Sequence, residues 1–418
     1  MRKKKTVQKG ESSSCLIRTF FCFGGTTPGN TTLLQCVSFF DHRTKKLARP
    51  VVVYDKHTID AHDNAVLNMD DRGYLFLFSS SHGNTRPSAI ARSKRPYDIS
   101  EWETIWTGNY SYPQPFFVPG QGFLFLHTCY HGRPSRRSNY FAWFDPKSGK
   151  MSEKQQLCFI NNGNYLRSWQ AADGRVGVSF DQHPTGKPGP GLNWRTDLFY
   201  VETRDGGKSW VNAAGEPVKL PITERENPAL VFRYAEKGRN VYIKGVKFDR
   251  ENRPIIVYIV SKGYASGPEN GPRRWMIARF DGKAWREYDT GIVSDNNYDY
   301  STLFVGEGDT LRLVGASETG PQPYNTGGEI AAWISTDGGR TWTKEKDLTR
   351  ASVRNQNYPR QPLGGTDPGF LAFWADGNGR KPSISRLSFC DRDLNVYRMP
   401  LAVKEALVDP EPVKDGQN

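Results

Sequence analysis

Seven short apolar runs recur along this chain of 418 residues, and they constrain its fold more than any other feature. They are Thr19–Phe23 (TFFCF), Tyr74–Phe78 (YLFLF), Phe123–His127 (FLFLH), Val176–Phe180 (VGVSF), Ile255–Ile259 (IIVYI), Leu311–Gly315 (LRLVG) and Phe370–Trp374 (FLAFW). Most follow a turn such as DDRG, PGQG, ADGR, RENRP or EGD. The spacing is about 50–60 residues with one gap near 80, a period that suits four-stranded propeller blades. Seven runs therefore predict an all-β chain folded as a single seven-bladed β-propeller. The first run begins too early for a full blade to precede it. Ser383–Phe389 and Asn395–Met399 are expected to supply the missing edge and close the ring, which leaves no open sheet edge. Composition agrees: 41 Gly, 27 Pro and 13% aromatics favour strands and turns, and no long run has helical spacing.

Two further repeats are sharper. Thr203–Trp210 reads TRDGGKSW and Ser335–Trp342 reads STDGGRTW. In each, the aspartate (Asp205, Asp337) can accept bonds from its own turn, the glycines permit a tight path, and the tryptophan can anchor the next strand. These are Asp-box turns, which speak for the fold and say little about catalysis. Weaker echoes occur at Phe280–Trp285 and Pro96–Trp102.

The functional signal centres on Asp60–Gly83, DAHDNAVLNMDDRGYLFLFSSSHG. Ala65–Met69 and Tyr74–Phe78 read as one hairpin about the turn Asp70–Gly73. A tight hairpin brings its open ends together, so His62 and His82 can share one rim as an acid/base pair. The alternative is that each imidazole only bonds a loop backbone. Tyr112, in SYPQP, can move a proton beside imidazoles, or can simply pack. After the third run, HTCYHGRPSRRS offers His127, Tyr130, His131, Arg133, Arg136 and Arg137 as a rim loop suited to an anion. In Asp181–Tyr200, His183 ends a strand and Asn193–Arg195 lead into the next. Arg195 has a planar fork that suits a carboxylate, with an inter-blade salt bridge as its competing role. Two Gly/Pro loops, Ser261–Trp275 and Ser317–Trp333, flank Ser294–Asp299 and should share the rim. Asn297, Tyr298, Asp299 and Glu329 there are candidate sugar-hydroxyl ligands, or loop-internal bonding groups. Arg360 and Asp376 are expected in comparable loops of the last blade.

The net charge of +13 fits a polyanionic glycan as well as nucleic acid, but the basic residues are scattered, which argues against nucleic acid. The six cysteines form no CxxC pair, so no zinc site is indicated and the redox compartment stays open. Residues 1–14 (MRKKKTVQKGESSS) have the basic end of a signal peptide without the apolar stretch; they are expected to be disordered or a non-native start. The propeller is expected over 15–400 and a polar, frayed tail over 401–418. No run reaches transmembrane length, so no membrane partner is expected.

With the Asp boxes and the histidine hairpin in hand, the chain resembles the BNR-4 group of sialidase-like propellers from about Thr19 to Pro400. The most telling stretches are Asp60–Gly83, NWRTDLFYVETRDGGKSW, DNNYD and GGEIAAWISTDGGRTW. The resemblance implies a polysaccharide lyase acting at a uronic acid by β-elimination, on an acidic polysaccharide or oligosaccharide. In such lyases two histidines about twenty residues apart, a tyrosine and an arginine line the site. His62, His82, Tyr112 and Arg195 match them. By register an arginine is also expected where this chain has Thr128-Cys129; either Arg133 or Arg136 replaces it from the loop, or carboxylate neutralisation is impaired. His183, Asn193, Asn297, Tyr298, Asp299, Glu329 and Arg360 are the expected substrate contacts. No metal is expected in the site and no cofactor is required, although a structural Ca²⁺ on the propeller axis is allowed. The family habit implies a periplasmic or secreted monomer. Two alternatives stand. One is a glycoside hydrolase of the same fold, sialidase-like or α-L-rhamnosidase-like, for which Asp299 and Glu329 are the only acid pair to offer. The other is a glycan-binding propeller without activity.

Overall fold

A computed structural model describes residues 18–26, 29, 31–131, 136–187, 193–363, 372–379 and 383–413. Residues 1–14, Arg133 and the start of the run at Phe370 lie outside these. The described residues contain no α-helix; a short 3₁₀ turn, Pro268–Asn270, interrupts a chain of antiparallel strands. No helix is long and apolar enough to cross a membrane.

Seven sheets follow one another in chain order, each an antiparallel meander. Their innermost strands are Arg18–Thr26, Ala65–Met69, Ser111–Val118, Leu166–Gln170, Asn240–Phe248, Ser301–Val305 and Asn355–Arg360, which define blades 1 to 7. Blade 4 shows the pattern: Leu166–Gln170, Val176–Gln182, Thr196–Thr203 and Leu230–Phe232 lie side by side, with Phe180 opposite Phe199. Second strands are covered on both faces, so they read as unbroken apolar runs rather than alternating ones. In blade 2, Leu75–Ser79 is buried throughout. Six of the seven runs seen in the sequence fall on second strands. The first does not: TFFCF is the innermost strand of blade 1, and Leu33–Asp41 takes the second position.

Each blade boundary carries one apolar cluster among the described residues. Phe76, Phe78 and Ile90 of blade 2 meet Phe123, Phe125 and Phe144 of blade 3. Leu124 and Phe141 of blade 3 meet Val178, Phe199 and Trp210 of blade 4. The ring closes through Phe21, Phe40 and Leu47 of blade 1 against Phe389 and Met399 of blade 7.

Closure differs from expectation. Leu387–Cys390 and Val396–Arg398, which cover the segments assigned to the missing edge, are the third and fourth strands of blade 7. The outer edge of blade 1 is supplied by Leu407–Val408, from the stretch expected to be a frayed tail. The chain then returns to blade 7, where Glu411–Pro412 pairs with Val396–Arg398. The physical reason is apolar content: Leu407 and Val408 pack into the clusters at the two boundaries of blade 1.

Both Asp boxes form as expected. Asp337 accepts from Ser335 Oγ at 2.8 Å, from the Arg340 and Thr341 amides at 3.0 Å and from Thr341 Oγ1 at 2.6 Å. Asp205 is held likewise by Thr203 and Ser209. Both turns join third to fourth strands. Loops between second and third strands, and between one blade and the next, emerge at the opposite rim.

Candidate functional site

That opposite rim gathers the histidines. His62 precedes the first strand of blade 2 and His82 follows its second strand. The hairpin stacks their rings at a centroid distance of 4.3 Å and 19° between planes. One carboxylate serves both: Asp60 Oδ1 lies 2.7 Å from His62 Nδ1, and Asp60 Oδ2 lies 3.2 Å from His82 Nδ1. Asp60 is fixed by the His62 amide at 3.0 Å and by Arg86 Nη2 at 2.8 Å. Arg86 also clasps the fully buried Asp63, at 3.0 and 2.9 Å. Burial pushes the Asp60 carboxyl up, but the His62 bonds and Arg86 outweigh it and hold it well below the usual range. A carboxylate at Nδ1 keeps the imidazole proton there and leaves Nε2 with its lone pair. Burial, then the His62 charge, lowers the His82 pKa, so His82 is neutral at pH 7.

Tyr112 enters from the first strand of blade 3. Its φ of +51° is a left-handed backbone that a bulky residue adopts only when its surroundings enforce it. Here the Tyr112 amide bonds Ser80 Oγ at 3.3 Å, and Ser111 donates to the Ser81 carbonyl, tying blade 3 to the histidine hairpin. The Tyr112 ring sits 6.2 Å and the Tyr130 ring 5.4 Å from His82. Burial raises the Tyr112 phenol far above its ordinary value, so it stays protonated.

The cations arrive from blades 3 and 4. Arg137 donates to the Tyr130 hydroxyl from Nε at 3.2 Å and Nη2 at 2.8 Å, and its buried Nη1 has no protein partner. Its guanidinium carbon lies 3.8 Å from the Tyr165 ring centroid, as does that of Arg195. Two guanidiniums this close to one centroid fit only on opposite faces, so Tyr165 separates two like charges with its own π-cloud. Arg195 also faces Tyr242 at 5.1 Å and Tyr298 at 5.2 Å.

The structure thus brings His62, His82, Tyr112 and Arg195 to one rim together with Tyr130 and Arg137 of the expected rim loop, and adds Tyr165, Asp60 and Arg86. Of the two replacements expected for the arginine near Thr128-Cys129, Arg133 lies outside the described residues and Arg136 does not enter the site. Arg136 is exposed, and Arg137, paired opposite Tyr130 across the blade 3 hairpin, takes the place. Thr128 is buried against Asn139 at 3.0 Å. His127 is not an anion contact: it lies in the core, stacked on Phe125 at 4.7 Å, and burial lowers its pKa to about 4.

Several expected substrate contacts turn inward. His183 is fully buried behind Tyr165, its ring 5.2 Å away. Asn193 accepts from the Tyr298 hydroxyl through its side chain and from Tyr242 through its carbonyl at 2.6 Å. Asn297 is spent on the Gly263 and Tyr264 carbonyls and on Arg273 Nε. Asp299 holds Ser294 Oγ at 2.7 Å and the Gly327 amide at 2.6 Å. Glu329 is locked to Thr349 and Ser352. These polar loop residues hold the loops' own shape. Arg360 and Asp376 lie in strands of blade 7 rather than in loops; Arg360 faces the axis, 4.5 Å from the Tyr300 ring.

Asp60, His62 and His82 offer ligand atoms within 4.8 Å of one another, a donor set of the kind zinc uses. Both Nδ1 atoms, however, already face Asp60, and Arg86 neutralises that carboxylate.

Fold and rim together define an Asp-box β-propeller whose rim opposite the Asp boxes gathers stacked imidazoles, phenols and guanidiniums. The chain belongs to the BNR repeat-containing family, whose model matches residues 35–291, more than half of it. It is 24% identical over 328 residues to a protein of Pseudoalteromonas sp. (strain PLSV) named Ulvan Lyase-PL25, covering 70% of this chain and 64% of that one. It is 24% identical over 360 residues to an ulvan lyase of Nonlabens ulvanivorans, covering 74% and 71%. The chain therefore spans just under two thirds of the Pseudoalteromonas relative. A solved structure described as a polysaccharide lyase PL25 ulvan lyase superposes with a TM-score of 0.70 at 17% identity, over 86% of this chain and 87% of that one. A second structure of such an enzyme, bound to -[GlcA(1-4)Rha3S]-, superposes equally well.

Proposed function

We propose that this protein is a polysaccharide lyase that cleaves an acidic glycan beside a uronic acid by β-elimination. The observation that carries the reading is His82, stacked on His62 and bonded to Asp60, with the Tyr112 ring 6.2 Å away and Arg137 and Arg195 flanking Tyr165 close by. Relatives named as ulvan lyases support it.

The chemistry divides among these groups. Arg195 and Arg137 neutralise the uronate carboxylate, which makes the C5 proton acidic. His82 Nε2 takes that proton. The electron pair of the broken C5–H bond forms the C4–C5 double bond, and the C4–O4 bond breaks. Tyr112 gives its proton to the leaving oxygen. His62, more exposed and sharing Asp60, holds the His82 ring by stacking. The step as written calls on no cofactor. A hydrolase would need a free acid pair, and Asp299 and Glu329 are already engaged within the protein. A periplasmic or secreted location is part of this reading, since a polymeric substrate of this kind is met outside the cytoplasmic membrane.

The test is ultraviolet absorbance during incubation with uronate-containing polysaccharides, wild type beside His82→Ala. The expected result is a rise from the conjugated C4–C5 double bond, lost in the variant. New reducing ends without absorbance would instead establish a hydrolase.

A further inference from the structure

The stretch Asp295–Asp299 (DNNYD) divides its residues between two places. Asn297 and Asp299 hold loops and Tyr298 faces Arg195, but Asp295 lines a separate cleft of about 380 Å³. Pro268, Pro272 and Arg273 form one wall, from the loop between the second and third strands of blade 5. Tyr324 forms another, from the corresponding loop of blade 6. Loops of this kind emerge on the rim that carries the histidines, and the cleft shares no lining residue with the candidate site there. Its volume is that of a small-molecule site.

Several bonds hold the cleft in shape. Asn296 is buried, and its Nδ2 donates to Ser266 Oγ at 2.9 Å in one loop and to the Tyr324 carbonyl at 3.0 Å in the other. Asp295 Oδ2 accepts the Tyr324 amide at 2.9 Å. Tyr324 is thus gripped at both backbone groups, with φ at +56°, a left-handed conformation that a bulky residue adopts only under constraint. The residue is nevertheless 39% exposed, so a fixed backbone displays the ring instead of packing it. Arg273 is buried and spends its nitrogens on the loop: Nε on Asn297 Oδ1 at 3.0 Å, Nη1 on the Gly267 carbonyl at 3.0 Å and Nη2 on the Ala265 carbonyl at 2.6 Å. It acts on Asp295 only from a distance. Burial pushes the Asp295 carboxyl up, and the Tyr324 amide and Arg273 do not offset it. A half-buried carboxylate in this position gains from added O–H donors.

We propose that this cleft is a second glycan-binding site and that it takes an uncharged pyranose unit. The C–H face of the sugar lies on the Tyr324 ring, whose π-face is negative, and the two prolines close the apolar side. Neighbouring hydroxyls donate to the remaining lone pairs of Asp295. The same carboxylate selects against a unit that carries a carboxylate or a sulfate, because like charges repel. The cleft therefore differs in kind from the candidate site, where Arg137 and Arg195 suit an anion. It stands independently of the lyase reading, since it holds a glycan whether or not the other site breaks one.

The test is saturation-transfer NMR followed by calorimetric titration of the whole chain. The probes are neutral oligosaccharides built of hexose, 6-deoxyhexose or pentose pyranoses, and an all-uronate oligosaccharide of equal length. At least one neutral chain is expected to bind, with a Kd of about 1 mM. Tyr324→Ala should weaken that binding by about tenfold, whereas Tyr324→Phe keeps the stacking face and should stay within about twofold of wild type. Asp295→Asn still accepts the Tyr324 amide, so the loop keeps its place, but the charge-assisted bonds are lost and binding should weaken by about tenfold. His82→Ala should bind the neutral chain as wild type does, and affinity for the all-uronate chain should not respond to Tyr324→Ala. No binding of any neutral chain, a loss shared by His82→Ala, or equal sensitivity of the all-uronate chain overturns the proposal. Conjugated product without neutral-chain binding would keep the lyase reading and remove this site. Neutral-chain binding without product would do the reverse.

Discussion

Asp60 is the residue on which the candidate site turns, because one carboxylate orients two imidazoles. It also opposes the burial that lowers the His82 pKa, so its removal has a definite sign. In Asp60→Asn the acid limb of the kcat/KM profile should move to lower pH. The maximum should fall by roughly a hundredfold, as expected when a catalytic ring is misplaced by about an ångström. A pH–rate profile checks both; an unmoved limb would separate Asp60 from the base. Tyr112→Phe should lower kcat by roughly 10²–10⁴ if the phenol is the proton donor, read from initial rates. His127 gives a stability prediction. Its pKa is about 4 when folded against an ordinary 6.5, so the folded state disfavours its protonated form. Its contribution is complete above pH 6.5 and is lost as pH falls through the window to 4, up to about 3 kcal/mol. His127→Phe should flatten that acid-side loss in denaturant titrations at each pH. The histidine pair was legible in the sequence because both members belong to one hairpin. Arg137 was visible only as one of six polar candidates in the loop after the third run, and Tyr165 gave no signal: their meeting depends on blades 3 and 4 converging, which no local spacing records.

Among the elements, the Asp-box turns carry structure and the facing rim carries chemistry. Thr203 is buried, donates to Asp205 at 2.9 Å and accepts the Gly207 amide at 2.6 Å. Thr203→Ala leaves that buried amide unpaired and should cost about 1–3 kcal/mol, measured by denaturant unfolding. Activity per folded molecule should not change. Trp210 packs on Phe141 of blade 3 at 5.2 Å, so the turn of blade 4 also grips its neighbour. The same physics explains what the sequence showed of the fold. Second strands are sandwiched between blades and stand out as solid apolar runs. The innermost strand TFFCF is just as apolar, so its place in blade 1 could not be told from composition. Asn297, Asp299 and Glu329 drew attention as polar groups in Gly-rich loops, but such loops need side chains to satisfy their own amides.

At the scale of the whole molecule, stability lies at the boundaries between blades, and one of those boundaries is fastened by residues 407–412. Removing the chain after Pro400 should expose the edge at Leu47 and Ala48, which pair with Val408 and Leu407. The unfolding midpoint should fall, limited proteolysis should cut blade 1 first, and an unpaired strand edge should promote self-association. Scanning calorimetry and light scattering check this, and an unchanged midpoint would show that the apolar cluster of Phe21, Phe40 and Phe389 holds the ring unaided. The pairing also sets an order of events during synthesis. The inner strand of blade 1 leaves the ribosome before blades 2 to 7, and its outer strand leaves after them. Blades 2 to 6 can each be completed as they emerge, whereas blade 1 must wait, three strands wide, until blade 7 has followed. Until then a nascent molecule is an open arc with a sticky end, and Leu407–Val408 converts it into a ring.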